Sequence, residues 1–479
     1  MYDLLLRGGT LVDPAHGIEA PRDLAVADGR VAAVEAAIDP AEAREVVNVS
    51  GLVVSPGIID SHCHVGGLSA RSRAVGHRMV AETGVTTVLD MGGTMETLIG
   101  GILERGAGLN VAGLFVHSAA FDFEHPDPPS AEIEAALAAE VEAGAFGLKI
   151  SGGHVPLTLD ATARAVEVAN RMGVYAAFHV GTTSAGSRIT GVREIPDIVG
   201  REGRLHIAHV NSYCRGMDEP PLDECIEAMS ILRDLRGRVV SESYLSPFNG
   251  TGGRCDGDEV VDHVTRNCLE MRSYLPTRMD MRRAIIDGYC LVSVEREDRA
   301  ELVSGREAVA AWEAAGTNVG VSFPVCPPET AFTLAVVKEP DGAFSIDAIS
   351  TDGGGIPRNF LVDRGLALVR FGGLSLSEYV GKASLNPARM MGLPRKGHLG
   401  VGADADITVL DLDRGLATRS FVAGRPVMVE GEAVASGGRL LCTEAGRASA
   451  AARGVAVEVV DPREAAMYRG GVEAASRRA

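Results

Sequence analysis

From Gly57 onward the chain repeats one unit: a short apolar run, a loop, and an alanine-rich stretch with helical spacing. The apolar runs fall at residues 86–91, 110–117, 147–150, 175–180, 205–210, 239–243 and 345–351, with helical patterns such as 131–142 and 159–172 between them. Strands without polar alternation are buried on both faces, which calls for a parallel sheet covered by helices. At this length such a sheet closes on itself. The expected fold class is α/β, a (β/α)8 TIM barrel.

The two ends have a different texture. Residues 1–55 read as short strands broken by Gly8-Gly9 and Asp28-Gly29, the second pair being a strong hairpin signal. After about residue 394 β texture returns at 404–410 and 420–427. Neither end is long enough for a core of its own, so residues 1–55 and 395–479 are expected to pair as one small β-sandwich domain beside a barrel at 56–394. The residues from about 443 are Ala- and Arg-rich, and are expected to form a peripheral helix or a frayed tail.

Charge and cysteine usage narrow the partners. The 479 residues hold 46 basic and 64 acidic side chains, a formal charge of −18, which opposes binding to phosphate backbones or anionic lipid. Nucleic acid and membrane are therefore not expected partners, and no apolar run reaches the roughly 18 residues of a spanning helix. The eight cysteines form no Cys-x-x-Cys pair and read as free thiols of a reducing cytoplasm.

The chain writes nearly every cation as Arg. Lys occurs only at Lys149, Lys338, Lys382 and Lys396. Three of these are expected on the surface, but Lys149 falls inside the apolar strand Phe146-Gly147-Leu148-Lys149-Ile150, where an ammonium is expensive to bury. Other polar residues stand at the ends of neighbouring strands. His62 and His64 share one face of a strand because side chains alternate, His179 and His209 end two further strands, and Asp352 follows Ala348-Ile349-Ser350-Thr351. A barrel gathers the C-terminal ends of its strands on one face. His206, three residues before His209, points the other way and reads as a packed or hydrogen-bonded histidine.

His-x-His followed by Lys, His, His and Asp on successive strands resembles the amidohydrolase superfamily. The entry Val53-Val54-Ser55-Pro56-Gly57-Ile58-Ile59-Asp60-Ser61-His62-Cys63-His64, the run Gly84-Val85-Thr86-Thr87-Val88-Leu89-Asp90 and the later Gly397-His398-Leu399-Gly400-Val401-Gly402-Ala403-Asp404-Ala405-Asp406 carry the same resemblance. It implies two divalent metal ions, usually zinc, bridged by a carbamate that Lys149 forms with carbon dioxide. It further implies His62, His64 and Asp352 on the more buried ion, and His179 and His209 on the other. Only Lys can play that part, since Arg stays charged. The implied chemistry is attack of a metal-bridging hydroxide on an amide carbon, with Asp352 moving the proton.

The substrate lies in the loops. Arg215, six residues past His209, and Arg358, six past Asp352, are candidates to hold a substrate carboxylate. Between His209 and Asp352 lie 142 residues, too many for ordinary connections, so an insertion is expected within about 247–340. Its glycine-rich stretch 249–259 lacks the GxGxxG pattern and reads as a mobile lid.

Ser350-Thr351-Asp352-Gly353-Gly354-Gly355 with Arg358 is similar to N-acyl-D-amino-acid deacylases, although these carry a cysteine ligand where this chain has Asp90-Met91-Gly92-Gly93. Lys149 and His209-Val210-Asn211 are closer to isoaspartyl dipeptidases, whose substrate-binding glutamate is absent from Val65-Gly66-Gly67-Leu68-Ser69. Dihydroorotases and hydantoinases share the ligands, but the arginine expected of a dihydroorotase just after the His-x-His run is missing. The expected substrate is a small linear amide beside a carboxylate, with a cyclic amide as the alternative. A noncatalytic scaffold is disfavoured because all six ligand positions are kept. Homo-oligomerisation is left open.

Overall fold

The structure, a computed structural model, describes residues 1–66, 75–117 and 125–475. Eight parallel strands form the barrel: β1 (Ile58–His64), β2 (Val85–Asp90), β3 (Ala107–His117), β4 (Gly147–Ile150), β5 (Tyr175–Phe178), β6 (Leu205–Ile207), β7 (Val239–Tyr244) and β8 (Ala348–Ser350). They pair in chain order. Just beyond β8, Gly353 and Gly354 pair with Cys63 and His64 of β1 and close the ring. Glycine is required at this closure: Gly354 has φ of +81°, and a Cβ there would lie 2.5 Å from the His64 carbonyl oxygen.

The helices follow from local sequence. In Leu159–Met172, Thr158 caps the start by accepting from the Ala161 N–H, and Gly173 ends it in a left-handed conformation. Its Ala161, Ala165, Val166 and Ala169 are buried on the side facing β4 and β5. Burial of Val166 contributes about 1.5–3 kcal/mol, and Val166→Asp would leave a carboxylate there without a partner.

The chain ends meet in a nine-stranded sheet, in which Val53–Pro56 pairs antiparallel with Ile407–Asp411. Leu4, Leu11, Leu24 and Val26 from one end share a core with Ile407, Val409 and Phe421 from the other. Asp28 and Gly29 form the expected turn, with φ of +51° and +74°.

Residues 437–459 depart from the expectation that the C-terminal part joins this small domain. Gly437–Cys442 pairs in parallel with the lower half of β3, and Ala456–Val459 pairs with Gly437–Cys442 in turn. β4 covers β3 only from Leu114 to His117, so the earlier residues of β3 need another partner. Instead of a frayed tail, short helices such as Arg447–Ala452 and Ala466–Arg469 follow.

Two lysines also depart from expectation. Lys396 is buried between Asp404 at 2.9 Å and Asp406 at 2.8 Å, and Asp406 also accepts from Asn110 of β3 at 2.9 Å. It therefore ties the small sheet to the barrel. Lys382 is fully buried, donating to the Ile346 carbonyl at 2.7 Å beside the Phe344 ring. Lys338 is the exposed one, paired with Glu378.

The insertion after β7 has its own core of Val264, Leu269, Met281, Ile285, Val292, Trp312 and Phe323 under a four-stranded antiparallel sheet. It ends before Pro328–Val336, a helix that packs on Pro221–Asp234 and β7 as a barrel helix does. The glycine-rich stretch is built into this unit and is not a free lid. Thr251–Gly252 pairs with Gly320–Ser322, and the Trp312 indole N–H donates to the Gly253 carbonyl at 2.8 Å. Among the described residues no helix is long and apolar enough to cross a membrane.

Candidate metal centre

His62 and His64 lie two residues apart near the C-terminal end of β1, where the strand period brings both rings to one side. Asp60 on the same strand accepts from the Thr351 N–H at 3.1 Å and from its hydroxyl, bracing β1 against the segment that carries Asp352. Burial pushes the Asp60 carboxyl up to about 7. Gly92 is needed beside His64, because a Cβ there would meet its Nδ1 at 2.4 Å.

Glu242, buried on β7, lies 2.7 Å from Nδ1 of His62. Burial, then the nearby Lys149 cation, holds the His62 ring well below its usual pKa, so the ring is neutral. A carboxylate only accepts, so Nδ1 carries the proton and Nε2 is left as a lone pair. That lone pair faces Asp352 Oδ1 at 3.3 Å. Two acceptors in contact repel unless a cation lies between them, and this is the donor set a divalent metal requires.

Asp352 gathers the remaining groups. Its Oδ1 is 2.9 Å from Nε2 of His64, and its Oδ2 is 3.9 Å from Nε2 of His209. Ligand atoms of His62, His64 and Asp352 all lie within 4.8 Å of one another. The Asp352 backbone is left-handed, φ of +50°, a conformation that is costly for a residue with a Cβ and is kept here by the ring closure and Arg358. Burial alone would raise its carboxyl, but Arg358, His62 and His209 outweigh that and hold it well below the usual range.

Lys149, His179 and His209 line the same cavity, of about 230 Å³, as these three. The His209 ring stacks on His62 with centroids 4.9 Å apart and meets His179 edge-on at 4.5 Å. His179 Nε2 is 2.9 Å from the Ser187 hydroxyl. Lys149 Nζ contacts Met91 Sδ at 3.2 Å, and burial pulls its amine down to about 8. His206 points away from the cavity, with Nδ1 3.1 Å from the Tyr175 hydroxyl.

The two arginines part company. Arg358 is spent on the protein: Nη2 reaches Asp352 Oδ2 at 2.5 Å, Nε donates to the Asp352 carbonyl, and Nη1 donates to Phe248 at 3.1 Å. These bonds hold it against Asp352, while it still lines the cavity. Arg215 also lines the cavity, beside Tyr244, and its Nε is buried without a hydrogen-bond partner. The residues Gly67-Leu68-Ser69, where an isoaspartyl dipeptidase feature was sought, lie outside the described residues.

Two contributors were not anticipated. Glu242 stands inside an expected strand, and an acid in an apolar run was the available signal, as with Lys149. The other is His154, whose Nδ1 is 2.9 Å from Asp262 of the insertion and whose ring meets His179 at 4.6 Å. Nothing in the sequence links His154 to Asp262.

Residues 271–434 match the amidohydrolase family. A dihydroorotase of Syntrophus aciditrophicus is 26% identical over 450 residues, covering 85% of this chain and 89% of that protein. A D-aminoacylase of Alcaligenes xylosoxydans xylosoxydans is 28% identical over 276 residues, 50% of this chain and 55% of that one. Among solved structures, the N-acyl-D-glutamate deacylase of Bordetella bronchiseptica, complexed with zinc and a phosphonate inhibitor, superposes with a TM-score of 0.66 at 18% identity over 92% of this chain and 99% of that one. Residues 271–434 thus match an amidohydrolase family domain, and the chain has homologues among dihydroorotases and a D-aminoacylase.

Proposed function

We propose that the chain hydrolyses the C–N bond of an amide, with an N-acyl amino acid or a related linear amide bearing a carboxylate as substrate. The observation that carries this reading is the convergence of His62, His64 and Asp352, whose ligand atoms lie within 4.8 Å of one another, with Glu242 against Nδ1 of His62. His62, His64 and Asp352 would hold one divalent ion, zinc by resemblance, and His179 with His209 a second. Bound ions supply a hydroxide near neutral pH and polarise the amide carbonyl. Asp352 takes the proton of the attacking water and passes it to the leaving nitrogen. Arg358 keeps the Asp352 carboxylate ionised and aimed for that transfer, and Glu242 keeps His62 in the ligand tautomer.

Lys149 would act as a carbamate shared by both ions. Its uncharged amine attacks carbon dioxide, a new N–C bond forms, and one proton is released. Support comes from a buried amine that contacts a thioether in the cavity it shares with the histidines. Incubation with ¹³C-bicarbonate should give a carbamate carbonyl signal that Lys149→Ala lacks; equal spectra would remove the carbamate.

The cyclic-amide reading is favoured by one observation, that dihydroorotase relatives align over 85% of the chain whereas the D-aminoacylase aligns over 50%. The deciding experiment is a screen of the zinc-loaded protein against N-acyl-D- and L-amino acids, β-aspartyl dipeptides, hydantoins and dihydroorotate. Turnover of the N-acyl amino acids is expected, and opening of rings alone would overturn the linear reading. Less than about one ion per chain at the site would favour a noncatalytic scaffold.

A further inference from the structure

A second hollow opens from the metal cavity. It has a volume of about 990 Å³ against about 230 Å³ around the candidate ligands, and the two share His64, Gly250, Thr251, Gly252 and Ile356. A substrate seated on His62, His64 and Asp352 therefore has room to continue along this groove.

The insertion builds one wall. Its strands Leu291–Glu295 and Gly320–Ser322 pair antiparallel, with Val292 opposite Val321. Side chains alternate, so these two valines enter the core of the insertion, and Ser293, Gly320 and Ser322 are left to line the groove. Gly320 keeps the space above the sheet open: a Cβ there would meet nothing closer than Ser293 Cβ, at 3.7 Å. Ala311, Ala314 and Ala315, where the helix Gly305–Ala314 ends, extend the wall with small apolar side chains.

Charge is scarce in this lining. Among the described residues and apart from His64, only Glu295 and Arg296 contribute any, and Arg296 already pairs with Glu301 at 3.2 Å and Glu307 at 2.7 Å. A substrate carboxylate gains little in such a groove. An N-acyl amino acid carries its charge on the amine side of the scissile bond and none on the acyl side, so the acyl half is the one that suits it.

We propose that the groove is an acyl subsite that takes an extended aliphatic chain, making amides of medium-chain carboxylic acids better substrates than acetyl or formyl amides. The inference rests on the hydrolase reading and deepens it: it names the acyl class and gives the insertion a part in choosing it. A methylene moved fully out of water is worth about fourfold in binding, and one laid in an open groove about twofold.

The test is kcat/KM of the zinc-loaded full chain for the N-acetyl, N-butanoyl, N-hexanoyl, N-octanoyl and N-decanoyl derivatives of D- and L-alanine, with calorimetric binding of the same compounds. A rise of at least about tenfold from acetyl to octanoyl is expected. Gly320→Phe places a ring in the groove and should flatten the series while leaving the N-acetyl rate within about twofold of wild type. If Gly320→Phe does not fold, Ala315→Phe decides the same question. A flat or falling series in the wild type, or an unchanged rise in the folded variant, would overturn the proposal. Hydrolysis of acetyl amides alone would remove the acyl subsite and leave the hydrolase reading standing. Tighter binding of decanoyl- than of acetyl-alanine, lost in Gly320→Phe, with neither compound hydrolysed, would do the reverse.

Discussion

The carboxylate of Glu242 lies 2.7 Å from Nδ1 of His62, and this contact determines which nitrogen of the ring is left for a cation. The same oxygen accepts the His209 backbone N–H at 2.6 Å, so one acid on β7 orients groups on two other strands. Glu242→Ala should therefore weaken metal binding by about 10–100-fold, and Glu242→Gln, which keeps an acceptor, by less. Zinc retained per chain after dialysis against graded chelator measures this. Unchanged retention in Glu242→Ala would show that Glu242 does not orient the ligand.

In the proposed mechanism Asp352 is both a metal ligand and the proton carrier. Asp352→Asn keeps a side-chain oxygen near His62 and His64 but removes the base. Turnover of the best amide should fall at least about 100-fold while part of the metal remains bound. Retained activity in the zinc-loaded variant would remove Asp352 from proton transfer.

Arg358 acts on Asp352, so its substitution should be felt in the rate more than in recognition. Arg358→Met is expected to lower kcat by about tenfold or more with KM little changed. An effect on KM alone would instead mean that Arg358 contacts the substrate.

Lys382 offers a pH test away from the cavity. Burial pulls its amine from 10.5 to about 7, against the opposing influence of Asp347 and Glu378. Between those values the unfolded chain takes up a proton that the folded protein refuses, so this group's stabilisation is present at high pH and is lost as pH falls toward 7. Lys382→Met should be more stable than wild type by about 1–4 kcal/mol at pH 7, with the gap narrowing toward pH 10. Urea unfolding at several pH values reads this directly; a gap independent of pH would mean that the amine is not the source.

The barrel is legible because most strands are built on an apolar run of the right length: residues 147–150 read as a strand, and Gly147–Ile150 is one. Lys149 was legible for the same reason, as the polar residue such a run should exclude. Glu242 broke the same rule, but its meaning depends on ring closure, which brings β7 within reach of β1. Lys396 was misread because its burial comes from Asp404, Asp406 and the docking of Asn110, none of which local composition reveals. The two cavity arginines looked alike in spacing and differ only in what surrounds them.

The strand Gly437–Cys442, paired along the lower half of β3, also bears on the order of synthesis. While the protein emerges from the ribosome, β3, from Ala107, is made well before its partner, from Gly437. In that interval the nascent barrel carries an open hydrogen-bonding edge of the kind that recruits other chains. Deleting the residues from Gly437 onward would make that edge permanent and should raise the aggregated fraction of the product, with every cavity residue still present.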